Sequence, residues 1–339
     1  MKANTRPLAT AIALLAGSLT TPLASAQQVE EGYEVPRTHY GAPDFQGTWR
    51  NPQIISLQRP EELGEQRAYT EEEARAIERA AQQAVEEDNQ PLDPDRPAPP
   101  AEDLPPVGNY DLFWTDRGMN MPTIDGEYRT SIIIDPPDGR IPEYTEDFLA
   151  RRDEERTNAP GSLDGPEGRP LGERCLLSFG SLSGPPMLPV MYNSHYQIVQ
   201  SPGYVVIVAE MVHDARIIRI DDEHGVNAKL DKWMGDSVGR WEGDTLVIET
   251  QHFNPQQDFR GASENLHVTE YLTRVDEEKI HYRFEVSDPT TFQQDFAGEL
   301  ALESYDEPLF EYACHEGNYA LPGTLGGARR EEAEAARQQ

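Results

Sequence analysis

Cysteine is nearly absent from the chain: Cys175 and Cys314 are the two in 339 residues. With no Cys-x-x-Cys spacing they form neither a zinc-finger nor a thioredoxin signature, and Cys314-His315 lacks the first cysteine of a haem-attachment motif. Positive charge is scarce as well. Lysine and arginine together number 29 against 61 acidic residues, a formal net charge of −32. Such a surface repels phosphate backbones and anionic lipid, which speaks against nucleic-acid and membrane-surface partners. Beyond the N-terminal stretch no apolar run approaches the length of a membrane-spanning helix. Gly-x-Gly-x-x-Gly and phosphate-loop patterns are missing, so no nucleotide cofactor is expected. Phe179-Gly-Ser-Leu-Ser-Gly184 carries its serines outside the Gly-x-Ser-x-Gly frame of a nucleophile elbow.

What is present begins with an export signature. Lys2 and Arg6 supply a positive region, residues 8–19 an apolar one, and Ala24-Ser25-Ala26 a small-residue cleavage site. Removal of residues 1–26 is expected, leaving a periplasmic or secreted protein. Subtracting Lys2 and Arg6 from a net charge of −32 gives −34 for the mature chain. In that compartment the even pair Cys175 and Cys314 is expected to form one disulfide.

Residues 27–109 read as an N-terminal extension with one helix and a Pro-rich linker. Thr70 is the N-cap and Glu73 completes a capping box before a narrow face of Ala74, Ile77, Ala80, Ala81, Ala84 and Val85. The linker spans 89–106. Residues 110–327 read as a β-rich domain that also takes in the strand around Trp49, and 328–339 as a polar tail. Strands are predicted at 110–117, 128–134, 196–200, 204–212, 215–220, 244–250, 266–275, 279–286, 298–303 and 309–314, with a short charged helix over 145–156. Long Pro- and Gly-rich loops separate the earlier ones. Short turns such as Ser201-Pro-Gly203 join the later ones into an antiparallel meander, hence a mainly β fold of lipocalin-like barrel or sandwich type with short peripheral helices.

The set Pro43-Asp-Phe-Gln-Gly-Thr-Trp49, Asp135-Pro-Pro-Asp-Gly-Arg-Ile-Pro142, Glu210-Met-Val-His-Asp-Ala-Arg-Ile-Ile218 (Glu210 through Ile218), Gly239-Arg-Trp-Glu-Gly-Asp-Thr-Leu-Val247 and Glu311-Tyr-Ala-Cys-His-Glu-Gly-Asn318 resembles a family of exported, functionally uncharacterised bacterial proteins. The resemblance spans nearly all of the mature chain. It implies export and a single strand-rich unit, and it implies no activity. Gly47-Thr-Trp49 is also how many lipocalin-like barrels begin, although an ordinary core tryptophan reads the same way.

Strand alternation nominates the chemistry. Glu270 shares parity with Leu266, Val268 and Leu272 and is expected opposite Phe284, on the apolar side, as a catalytic carboxylate or as a structural partner of an arginine such as Arg260. His252 shares parity with Leu246, Ile248 and Thr250 and is expected to continue the inward face. A neutral imidazole and a carboxylate on one cavity are ordinary tools of acid–base catalysis. Glu210 and His213 are further catalytic candidates, with Glu210 paired to Arg216 or Arg219. Arg216, Trp233, Trp241 and Tyr312 are candidates for substrate contact, the two tryptophans flanking a loop, Gly235-Asp-Ser-Val-Gly239, that could fold over a ligand. His281 reads as solvated. No cofactor is favoured; a divalent metal held by His213, His252 and His315 is the alternative, though their spacing matches no ligand motif. These residues suit an exported small-molecule enzyme, a cofactor-free lyase, isomerase or hydrolase. The alternatives are a non-catalytic lipocalin-like binder of an apolar small molecule and a metal-dependent enzyme.

Overall fold

The computed structural model of the chain describes residues 32–51, 54–91, 95, 97, 118–178, 183–190, 192–224, 230–257, 259–262 and 264–338. The export segment, the strand expected at 110–117 and most of the linker lie outside the described residues. In chain order the elements are β1 (Gly47–Arg50), β2 (Ala68–Tyr69), α1 (Glu71–Asp88), β3 (Thr123–Ile124), β4 (Glu127–Arg129), β5 (Ile133–Asp135), α2 (Glu146–Asn158), β6 (His195–Ser201) and β7 (Tyr204–Ala209). They continue with β8 (Ala215–Ile220), β9 (Asp236–Glu242), β10 (Thr245–Gln251), β11 (His267–Arg274), β12 (Lys279–Ser287), β13 (Phe296–Ser304) and α3 (Ala320–Gln338).

β1 and β6 to β13 close into a nine-strand barrel through the β1–β13 pairing, with β5 extending the same edge of β13. Of the barrel and sandwich expected, the barrel is the one formed. Closure leaves no free edge along these strands, which removes the commonest route to edge-to-edge aggregation. Its cause is visible in the alternation. Val268 and Leu272 on β11, Ile280, Tyr282, Phe284 and Val286 on β12, and Leu300 and Leu302 on β13 are all buried on the inner face. Gly298 faces Phe284 across β12–β13, and a Cβ there would stand 2.3 Å from the phenyl ring. The inward space at that position already belongs to the phenyl ring.

Trp49 is buried in this core, donates its indole N–H to the Phe45 carbonyl at 2.9 Å and carries the Arg274 guanidinium 5.4 Å above its ring. The capping box at Thr70 is formed as the sequence reads, and α1 buries only Ala74. A small sheet, β2-β4-β3, stands beside the barrel.

Four local expectations are corrected. All barrel pairings are antiparallel except β8–β9, which is parallel, so these two strands do not form a hairpin. Gly235-Asp-Ser-Val-Gly239 is not a flexible loop: Asp236 onward is β9, paired with β8 and β10. Residues 309–314 form no strand; the Phe310 N–H and the Tyr312 carbonyl meet the Glu210 and His213 side chains of the β7–β8 connection instead of a ladder partner. β7 stops at Ala209, where Val212 (φ 62°) and His213 (φ 47°) turn into the left-handed region and break the strand. Cys175 and Cys314 form the expected disulfide, with Cα atoms 5.8 Å apart. Among the described residues no helix is long and apolar enough to cross a membrane.

Candidate functional site

The outer face of the barrel carries a row of ionisable residues across β12, β13, β1 and β6. Lys279 on β12 pairs with Glu303 on β13, Glu303 with Arg50 on β1, and Arg50 with His195 at the start of β6. Their inward neighbours Ile280, Leu302, Trp49 and Tyr196 are buried in the core, so alternation turns all four outward. The row ends on Glu210, whose backbone N–H donates to the His195 carbonyl at 2.9 Å. Lys279, Glu303 and Arg50 alternate in charge, which is the favourable arrangement for cross-strand neighbours.

Residues 305–318 then pass over the end of this row as a strap. The Tyr305 ring stacks on the His195 imidazole with centroids 4.3 Å apart, and the Arg50 guanidinium sits 5.9 Å from the centroid of the same tyrosine ring. Phe310 donates its backbone N–H to Glu210 Oε2 at 2.9 Å, and the Tyr312 carbonyl contacts His213 Nδ1 at 3.0 Å. Cys314 anchors the strap to Cys175. Beneath it lies an open groove of about 1350 Å³, walled by Arg50, Tyr192, His195, Glu210, Tyr305 and Tyr312 among others.

Glu210 is 2% exposed and accepts from three donors: His195 Nδ1 at 3.3 Å, Asn193 Nδ2 at 2.6 Å and Phe310 N at 2.9 Å. Burial alone would raise its carboxyl, but these hydrogen bonds outweigh it and hold the group below the usual carboxylate range. An ionised carboxylate only accepts, so Nδ1 of His195 carries the proton and Nε2 is the basic nitrogen. This is the arrangement by which a carboxylate orients an imidazole for proton transfer.

Glu270 lies elsewhere. It is inward and opposite Phe284, as its parity requires, and fully buried inside the barrel. Arg216 binds it with both Nη atoms, Nη2 at 3.0 Å, and Tyr282 donates its hydroxyl at 2.8 Å. The arginine partner is thus Arg216, not Arg260, and Arg216 is a core residue, not a rim one. Met187 donates its backbone N–H to the Tyr282 oxygen at 2.9 Å, completing a buried chain of polar groups. Such a pair costs desolvation on both sides and holds only when each charge is matched.

His252 follows β10 with φ 62°, which interrupts the alternation that would have kept it inward. Its ring stands edge-on to His224 at 5.9 Å, and His224 contacts the buried Asp236 at 3.1 Å. Asp236 also accepts from Arg219 at 2.9 Å and Lys232 at 2.7 Å, which hold its carboxyl well below the ordinary range against the opposing effect of burial. His252 and Glu270 therefore belong to separate clusters. Trp241 packs on Phe45 with centroids 5.7 Å apart, and Trp233 is half-buried in the turn before β9; neither lines the groove. Tyr312 does, and His213 meets it from below. His315 is exposed. His213, His252 and His315 do not converge, and among the described residues no group of three His, Cys, Asp or Glu side chains is placed to hold a metal ion.

His281 is not solvated. It is 4% exposed and contacts Glu299 at 3.1 Å, because β2-β4-β3 brings Arg129 onto this part of the outer face, where it donates to Glu299 at 2.6 Å. Glu299 is held down to about 2: burial opposes this, and His281 and Arg129 overcome it.

The residue that sequence reading missed is His195. The signal was available in the hairpin. Ser201 pairs with Tyr204 across Pro202-Gly203, and stepping back along both strands reaches Tyr196 opposite Ala209 and then His195 opposite Glu210. Comparison with protein-family models and with curated proteins finds no match to the chain.

Proposed function

We propose that the chain is an exported small-molecule enzyme of acid–base type whose site is the groove beneath the strap. His195 is the general base and acid, and Glu210 is its positioning residue. The observation that carries this reading is the Nδ1–Oε1 contact of 3.3 Å between His195 and Glu210 at the wall of a groove of about 1350 Å³. In the reaction Nε2 accepts a proton from a carbon acid, hydroxyl or water, and the ionised Glu210 stabilises the imidazolium. The same proton then returns to a second atom of the substrate or to a leaving group. Isomerase, lyase and hydrolase chemistry all follow that course. Tyr192, Tyr305 and Tyr312 supply apolar ring surface with polar edges for a small, partly apolar molecule. Export is supported by the Lys2-to-Ala26 signature and the disulfide.

The test is untargeted mass spectrometry of small-molecule extracts incubated with the protein and with His195→Gln. A mass change that needs the unaltered protein and vanishes with His195→Gln is expected. A conversion that proceeds equally with the variant would reject the role of His195. A second reading, stoichiometric binding without turnover, is favoured by the Tyr305 ring stacked over the imidazole at 4.3 Å. It predicts ligand retention on the protein with no new product.

A further inference from the structure

The groove's charges do not balance, and the imbalance names a ligand class. Two guanidinium groups line it, and both already have carboxylate partners: Arg50 with Glu303 at 3.2 Å, and Arg169 with Glu173 at 2.6 Å. Glu210 is committed to His195, Asn193 and the Phe310 backbone. Glu307 and Glu311 also line the groove, and neither is ion-paired among the described residues; Glu307 accepts only the Tyr305 hydroxyl, at 3.3 Å. Both sit on the strap, on either side of Phe310, which is 62% exposed. An exposed phenyl ring between two uncompensated carboxylates, facing Tyr192, Tyr305 and Tyr312 around the same space, presents ring faces and negative charge together.

From this juxtaposition we infer that the groove takes a small organic cation, an amine or quaternary ammonium with an apolar body. The inference rests on the groove being the ligand site. Aromatic faces attract cations through their quadrupole, and the attraction adds to that of nearby carboxylates. At longer range the net charge of −32 raises the local concentration of cations and lowers that of anions. An anionic ligand would have to share Arg50 with Glu303 or displace Glu173 from Arg169 before meeting a positive group. The cation needs no such displacement.

Three probes of similar size separate charge from shape: benzylammonium, benzyl alcohol and benzoate. Their binding to the full mature chain is measured by chemical-shift titration. Benzylammonium is expected to bind about tenfold tighter than benzyl alcohol, with benzoate weakest. Added salt is expected to narrow the gap. In the double variant Glu307→Gln with Glu311→Gln, benzylammonium should fall to the affinity of benzyl alcohol, while benzyl alcohol binds as before. Both positions are on the exposed strap, so folding is retained, and a melting curve checks it. Binding of none of the three, benzoate binding as tightly as benzylammonium, or a cation preference that survives the double variant would each overturn the inference. The last would assign the preference to the protein's overall charge. Cation selectivity without any His195-dependent turnover rejects the acid–base reading and leaves the ligand class standing. Turnover that depends on His195, with no cation preference, does the reverse.

Discussion

His195 Nδ1 lies 3.3 Å from Glu210 Oε1, and the two-residue turn at Pro202-Gly203 is what sets the two residues opposite each other. The dyad is therefore a product of hairpin register, held from one side by β1 and from above by the strap. A shift of one residue would send His195 inward and separate the pair.

Removing the orienting carboxylate should cost rate more than fold. Glu210→Gln keeps an acceptor oxygen at only one of the two carboxylate positions, so it retains the bond from Asn193 or the one from Phe310, and it no longer stabilises an imidazolium. Turnover of the substrate found by mass spectrometry should fall about 10- to 100-fold, against about 10²- to 10⁴-fold for His195→Gln. Steady-state kinetics on both variants checks the order. Equal rates for Glu210→Gln and the unaltered protein would remove its positioning role.

Arg216 and Glu270 should behave as stability residues. Arg216→Met leaves the Glu270 carboxylate inside the barrel with the Tyr282 hydroxyl but without its counter-charge, and should destabilise the fold by about 3–5 kcal/mol. Adding Glu270→Leu to it should recover much of that loss, since no buried charge then remains unmatched. Urea unfolding of the single and double variants measures the difference. A double variant less stable than the single one would contradict the assignment.

Two carboxyls give stability opposite pH dependences. Glu299 is depressed to about 2 from 4.5, so its contribution is present above the unfolded value and is lost as pH falls from there toward about 2. That contribution is about 3 kcal/mol, and Glu299→Gln should flatten the acid limb of the stability profile. Asp214 is raised by burial to about 6 from 3.8, and its buried Oδ2 has no hydrogen-bond partner. The folded state holds its proton more tightly, so stability falls as pH rises between those values. Asp214→Asn should abolish that fall and, after discounting for the group's partial exposure to solvent, stabilise the protein at neutral pH by about 2 kcal/mol. Denaturation midpoints measured across the acid range distinguish the two.

The disulfide should act on the strap more than on the barrel. Replacing Cys175 and Cys314 together by serine removes a cross-link over a sequence separation of 139 residues. Chain entropy alone makes that loss about 4–5 kcal/mol. Hydrogen exchange should accelerate first in residues 305–318, ahead of β11 and β12. Uniform acceleration throughout the chain would show that the cross-link holds the whole fold and not the strap in particular.

Much of the fold was legible because alternation is a local signal. Glu270 opposite Phe284, the capping box at Thr70 and the hairpin at 201–204 all follow from spacing within one or two neighbouring segments. His252 was misplaced because one left-handed residue ends the alternation, and its side chain type does not announce that. His281 was misread because its outer face is covered by a sheet from an earlier part of the chain.

The sequence by itself determined a strand-rich chain with period-two cores, two cysteines suited to pairing and a strongly acidic surface. Only the tertiary structure decided which charges share a surface. Barrel closure through β1 carries Arg50 beside His195, and the strap carries Tyr305 and Phe310 onto the dyad. Register within a hairpin is set by adjacent residues, whereas closure and crossing depend on how all the strands pack at once. That is why Glu210 could be nominated from its strand, and its partner and cover could be seen only in the folded barrel.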